Sequence, residues 1–140
     1  MLSKMIKSVF VYGTLKQGRP LDRPSLASLR TSVQEATIVG SIYSLGSYPT
    51  IQLDGRGTVR GEVHTFAEQD FDQVLSIMDG IEGYNPSSPA DGLYTRHVVE
   101  ATLLGSQKGQ SAKIMAWVYE YNGAVNPARR LDGGVWEPGM

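Results

Sequence analysis

Apolar and polar positions along the 140-residue chain repeat with two periods, one near two and one near 3.6. The first marks strands and the second a helix. Val9, Phe10, Val11 and Tyr12 form a β-branched and aromatic run stopped by Gly13, which predicts a buried strand over Ser8 to Tyr12 ending in a glycine turn. Residues 16 to 35 carry Gly18, Pro20 and Pro24, then Leu26 and Leu29 at helical spacing. A loop followed by a short helix is expected there. A second strand is expected from Ala36 to Tyr43, a turn at Gly46 to Pro49, and an extended stretch from Thr50 to Leu53, after which Asp54-Gly55 signals a hairpin. In Gly57 to Phe66 the alternation is clearest: Val59, Gly61, Val63 and Thr65 share one face, and Arg60, Glu62, His64 and Phe66 the other.

The period then changes. Phe71, Val74, Leu75 and Met78 follow the i, i+3, i+4, i+7 stripe of a core-facing helix, predicted from Glu68 or Asp70 to Met78 with its acidic residues near the positive end. After a loop over residues 85 to 92, strands are expected at Tyr94 to Leu104 and Lys113 to Tyr121, joined by a polar turn from Gly105 to Gln110. The tail from Asn122 has scattered apolar residues and reads mostly as loop. No repeat or linker composition divides the chain, so residues 1–140 are expected to form one domain. Five or more strands with one main helix predict an α+β fold, a small, partly closed β-barrel with the helix beside it.

Composition narrows the partners. The 13 basic and 14 acidic residues give a net charge of -1, which points away from nucleic acid and from an anionic membrane and toward a small-molecule partner. Cysteine is absent, so disulfides, thiolate metal sites and a cysteine nucleophile are excluded together. The start, broken by Lys4 and Lys7, lacks a signal-peptide core, and no stretch approaches the roughly 20 apolar residues of a membrane helix. A soluble, cytoplasmic protein is expected. The 16 glycines fit many short strands meeting at turns.

Two segments can carry chemistry. In Tyr12-Gly13-Thr14-Leu15-Lys16, glycine directly after a buried strand either just ends the strand or lets successive N–H groups converge on a carboxylate. In Asp79-Gly80-Ile81-Glu82-Gly83-Tyr84, Glu82 is either an exposed residue at a helix end or, if the helix continues through Gly80, a partly desolvated carboxylate on the apolar face. His64 and His97, the only histidines, have no spaced third ligand and read as structural or exposed. Asp79 reads as a surface or capping residue that can assist Glu82, and Trp117 and Tyr119 as core or pocket wall. No Gly-x-Ser-x-Gly elbow appears, which disfavours a serine hydrolase.

Taken in order, Val11-Tyr12-Gly13-Thr14-Leu15-Lys16, Tyr48-Pro49, Met78 to Tyr84, Tyr94-Thr95-Arg96 and Val118-Tyr119 resemble the γ-glutamylcyclotransferase-like superfamily, especially its γ-glutamylamine cyclotransferase and avirulence-induced-protein branch. The resemblance spans roughly residues 8 to 136. It implies a small mixed β-barrel of about five to seven strands, a cradle at Tyr12, Gly13, Thr14, Leu15 and Lys16 whose backbone holds a γ-glutamyl group, and Glu82 as general base. It also implies Tyr94 lining the pocket and Arg96 orienting a carboxylate, no metal or cofactor, and a monomer or homodimer. The loop Asn85 to Leu93 is longer than in the shortest members and bears on the leaving group.

The implied reaction is an intramolecular acyl transfer: the substrate's α-amine attacks its own γ-carbonyl, forming 5-oxoproline and releasing an amine or amino acid. The alternative is a noncatalytic small-ligand or stress-response module on the same fold. Glutathione-specific cleavage fits less well, because that branch has a longer chain and a different sequence around its Tyr-Gly motif.

Overall fold

A computed structural model describes residues 6–13, 16, 23–46, 48–105 and 112–136. Gly18, Pro20 and residues 106–110 of the expected turn lie outside these. Seven strands and two helices follow in the order β1 (Ser8–Val11), α1 (Pro24–Ala27), β2 (Arg30–Val39), β3 (Ser41–Ser44), β4 (Pro49–Gln52), β5 (Thr58–Phe66), α2 (Phe71–Glu82), β6 (Tyr94–Leu103) and β7 (Lys113–Tyr121). Five of the strands close into a barrel in the order β1-β5-β2-β6-β7, and β3 and β4 pair as a separate ribbon. All barrel pairings are antiparallel except β1 with β7, where Val9 lies opposite Trp117 in a parallel contact that closes the ring. Closure gives each barrel strand a neighbour on both sides, over two residue pairs for β2 with β6 and one for β1 with β7.

Strand alternation sorts the apolar residues into two cores. Phe10, Tyr12, Ala36, Ile38, Val59, Val63, Ala101, Ala116 and Val118 fill the barrel with Ile42 and Ile51 from the ribbon. Val9, Val11, Phe66, Tyr94 and Tyr119 point outward and pack against Phe71, Val74 and Met78 of α2. At about 1.5–3 kcal/mol for each fully buried large side chain, that three-residue stripe supplies most of the force holding α2 to the barrel.

Three sequence expectations about the strands are corrected. The strand expected to begin at Ala36 begins at Arg30, and it ends at Val39 rather than running to Tyr43. Its first half, Arg30 to Glu35, is largely exposed and offers no hydrophobic alternation; the backbone ladder to β5 holds it. At Gly40 the chain leaves the barrel, and Ser41 to Ser44 pairs with β4 instead. Asp54-Gly55 does turn the chain, with Asp54 Oδ1 accepting from the Arg56 N–H at 3.0 Å, but it links β4 to β5, which are not paired; the hairpin is β3–β4.

The helix runs one turn beyond Met78, to Glu82. Gly80 faces open space and is tolerated, while Gly83, at φ 68°, takes the left-handed conformation that ends the helix. In the tail, residues 127–129 form a single 3-10 turn and Arg130 makes a bridge to Tyr43, yet Trp136 is 2 % exposed and belongs to the barrel core.

Candidate active site

The extra turn of α2 decides where Glu82 lies. Phe71 and Glu82 are eleven residues apart, close to three full turns, so Glu82 shares the face that packs on the barrel and its side chain is half-buried. Burial pushes its carboxyl up to about 7, because the charged form loses water without gaining a cationic partner among the described residues.

Three tyrosines face this carboxylate from three strands: Tyr12 just past β1, Tyr94 opening β6, and Tyr119 on β7. Each phenol is raised above its ordinary value by burial first; the Glu82 charge comes next for Tyr12 and Tyr94, whereas for Tyr119 the bonded Asp79 comes next and Glu82 adds least, so all three stay protonated. The Tyr12 hydroxyl donates to the Tyr119 carbonyl at 2.7 Å, and the Tyr119 hydroxyl donates to Asp79 Oδ1 at 2.6 Å. Tyr94 packs its ring on Tyr121, with centroids 5.5 Å apart.

The ribbon completes the surround. The Thr50 hydroxyl on β4 lies beside those of Tyr12 and Tyr94 and favours their ionised forms slightly. It forms no complete hydrogen bond among the described residues, although Thr50 is fully buried. A buried hydroxyl left so costs about 1–3 kcal/mol, and an incoming polar group recovers it. Nothing in the alternation of β4 marks Thr50 as polar and buried; its place directly after Tyr48-Pro49 was the one available signal.

Gly13 is where the ribbon meets the cradle. A Cβ at Gly13 would sit 2.5 Å from Pro49 Cγ and 2.7 Å from Cδ, so only glycine lets Tyr12 and Pro49-Thr50 converge. The turn is closed by the Lys16 N–H donating to the Gly13 carbonyl at 3.0 Å. Gly13→Ala is therefore expected to lose roughly 1–3 kcal/mol in denaturant melts, the cost of overpacking, and Gly13→Ala/Pro49→Ala to recover most of it.

The structure thus gathers Glu82, Tyr12, Gly13 and Tyr94, and adds Thr50 and Tyr119. Thr14 and Leu15 lie outside the described residues. Lys16 lines a cavity of about 290 Å³ with Arg60, Glu62 and Val135. Arg96 orients a carboxylate, but it is that of Asp79: Nε donates to Oδ1 at 2.8 Å and an NH2 group to Oδ2 at 3.1 Å. Asp79, expected at the surface or in a capping role, is buried. His64, also buried, pairs with Glu62 at 2.8 Å; His97 is more open and lies 3.3 Å from Glu120. Among the described residues no three His, Asp or Glu side chains gather as metal ligands, and no helix is long and apolar enough to cross a membrane.

Comparison with known proteins adds a family to this geometry. A Vibrio cholerae protein named provisionally as a γ-glutamylcyclotransferase is 29 % identical over 136 residues, covering 91 % of this chain and 93 % of that protein. The crystal structure of a mouse AIG2-like protein superposes with a TM-score of 0.66 at 21 % identity, over 94 % of this chain and 88 % of its own. A yeast γ-glutamyl cyclotransferase specific to glutathione superposes at 0.57 with 14 % identity, over 82 % of this chain and 69 % of its own, and shares the fold. The model of the γ-glutamyl cyclotransferase, AIG2-like family matches residues 9–138, from the first residues of β1 to beyond the buried Trp136, and the chain belongs to that family.

Proposed function

We propose that this protein is a γ-glutamyl cyclotransferase that converts a γ-glutamyl amine or γ-glutamyl amino acid to 5-oxoproline and the free amine. The observation that carries this reading is the Glu82 carboxyl, lifted to about 7 beside Tyr12 at the glycine turn. A base that must take a proton from an α-ammonium group near ~8 works poorly at an ordinary carboxylate value of ~4.3 and well near 7.

The reaction needs little else. The cradle that Tyr12 and Gly13 open holds the γ-glutamyl half, while the Thr50 and Tyr94 hydroxyls offer hydrogen bonds to its polar atoms. Glu82 takes a proton from the α-ammonium, and the freed amine attacks the γ-carbonyl. The new nitrogen–carbon bond closes the five-membered ring. The ring nitrogen then sheds its second proton, and as the bond to the leaving amine breaks both protons pass by way of Glu82 to that nitrogen, which departs as its ammonium form. Both reacting groups belong to one substrate, so folding it into an attacking conformer is the main task, an effect worth up to roughly 7–11 kcal/mol.

The test is to incubate the protein with a panel of γ-glutamyl amines and γ-glutamyl dipeptides and to measure 5-oxoproline. For an accepted substrate, kcat/KM should rise through about pH 7 as Glu82 ionises. One unit below that midpoint it should lie roughly tenfold under the plateau. Absence of 5-oxoproline with every panel member would transfer the weight to a noncatalytic ligand-binding module.

A further inference from the structure

We propose that Asp79, Arg96 and Tyr119 form a positioning set that fixes the last turn of α2, and with it Glu82, against the cradle strand. The inference rests on the reading of Glu82 as the base.

Three observations carry it. The first is that Asp79 and Glu82 stand three residues apart on α2, hence on one face and one turn from each other. The second is that Asp79 is held from two strands at once. Arg96 on β6 grips both carboxylate oxygens, at 2.8 and 3.1 Å, and the Tyr119 hydroxyl on β7 donates to Oδ1 at 2.6 Å. The third is that Tyr119 also faces the cradle, because its carbonyl accepts the Tyr12 hydroxyl at 2.7 Å. One residue of β7 thereby links the base-bearing turn to the residue that opens the glycine turn.

Arg96 has no freedom to serve substrate in this arrangement. Its guanidinium carbon lies 5.1 Å from the Tyr84 ring centre and 4.9 Å from that of Trp117. Stacked on two rings and bonded at its edge, it is pre-organised as only a planar guanidinium can be. The carboxylate it orients is the protein's own.

The set also has an electrostatic consequence. Glu82 is faced by Tyr12 just past β1, Tyr94 from β6 and Tyr119 from β7, all protonated, and by Asp79 on its own helix with Arg96 behind it. While Asp79 and Arg96 are paired their charges offset, and burial is left as the cause that sets Glu82. Removing one partner unmasks the other. An unpaired Asp79 opposes ionisation of Glu82, and an unpaired Arg96 favours it.

The experiment titrates the Glu82 side-chain carboxyl by carbon-13 NMR in the wild type and in Asp79→Asn, Arg96→Met and Arg96→Lys, with kcat and KM for 5-oxoproline release alongside. Asp79→Asn should lower the Glu82 midpoint and Arg96→Met should raise it, each by roughly half to one pH unit, while Arg96→Lys stays near wild type. In Asp79→Asn and Arg96→Met, kcat should fall roughly 10- to 100-fold with KM changed less than about threefold. An ion pair uncoupled from Glu82 predicts similar losses of stability in those two variants, a midpoint that does not move and an unchanged kcat in the folded protein. An unmoved midpoint, or shifts of the same sign, overturns the proposal. If Asp79→Asn does not fold, the contrast between Arg96→Met and Arg96→Lys decides alone. A wild type that releases no 5-oxoproline removes the functional reading, while the titration still decides the positioning set.

Discussion

Glu82→Gln is expected to lose turnover by a factor of about 10²–10⁴ or more, with the fold intact, because the amide keeps the shape of the side chain but accepts no proton. The same variant makes a prediction about stability with an unusual sign. Glu82 titrates near 7 in the folded protein against 4.5 for an ordinary glutamate, so folding favours the protonated form. Its contribution is therefore fully present below about pH 4.5 and is lost as pH rises through about 7. The full shift corresponds to about 3 kcal/mol, and water reaching a half-buried carboxylate reduces this to roughly 1–3 kcal/mol. Glutamine carries no charge to desolvate. Denaturant unfolding should thus find Glu82→Gln more stable than wild type at pH 8, with the difference closing toward pH 4. A variant less stable at every pH would give Glu82 a structural role instead, and near-normal turnover would remove it as the base.

That double signature depends on one helical turn which propensity alone handled poorly. The stripe of Phe71, Val74 and Met78 was legible because core-facing helices repeat every 3.6 residues, but Gly80 argued for an earlier end. The glycine is harmless because it faces open space, and only tertiary packing reveals that. β5 was legible from its alternation and β1 from its wholly buried β-branched and aromatic run, while β6 and β7 were legible as strand-forming runs on either side of a polar turn. The start of β2 was not, because Thr31, Ser32, Gln34 and Glu35 are exposed and are ordered by their ladder to β5. The turn at Asp54-Gly55 was legible as a turn but not in what it connects: dipeptide chemistry specifies local backbone geometry and carries nothing about sheet partners. For the site, residue types and order singled out Tyr12, Gly13, Glu82 and Tyr94. The partner of Arg96 was hidden, because Asp79 lies 17 residues away and meets it only once α2 docks on β6.

Trp136→Ala should produce the largest loss of stability, about 3–5 kcal/mol, comparable to the removal of any large core aromatic. Its position in an irregular tail concealed this, since a lone tryptophan among glycines has no periodicity to read. The tail acts as a plug. Leu131 N–H donates to the Ile42 carbonyl at 2.8 Å, Arg60 N–H donates to the Gly134 carbonyl at 2.8 Å, and Trp136 then enters the barrel core beside the side chains of β1, β5 and the ribbon. For a chain of this size the loss corresponds to a fall in Tm on the order of 10 °C or more. Trp136→Phe should cost much less, because it keeps an aromatic ring in the core and gives up an indole N–H that has no partner among the described residues. The functional consequence separates the two ends of the molecule. The tail braces the ribbon beside Thr50, because Arg130 bridges to Tyr43, which pairs with Thr50, so Trp136→Ala should lose activity in step with its folded fraction. Activity and melting followed over one temperature series then distinguish it from Glu82→Gln, whose activity is gone where the protein is fully folded. If Trp136→Ala melts like wild type, the tail is a covering segment, and the barrel closes on the packing of its strands alone.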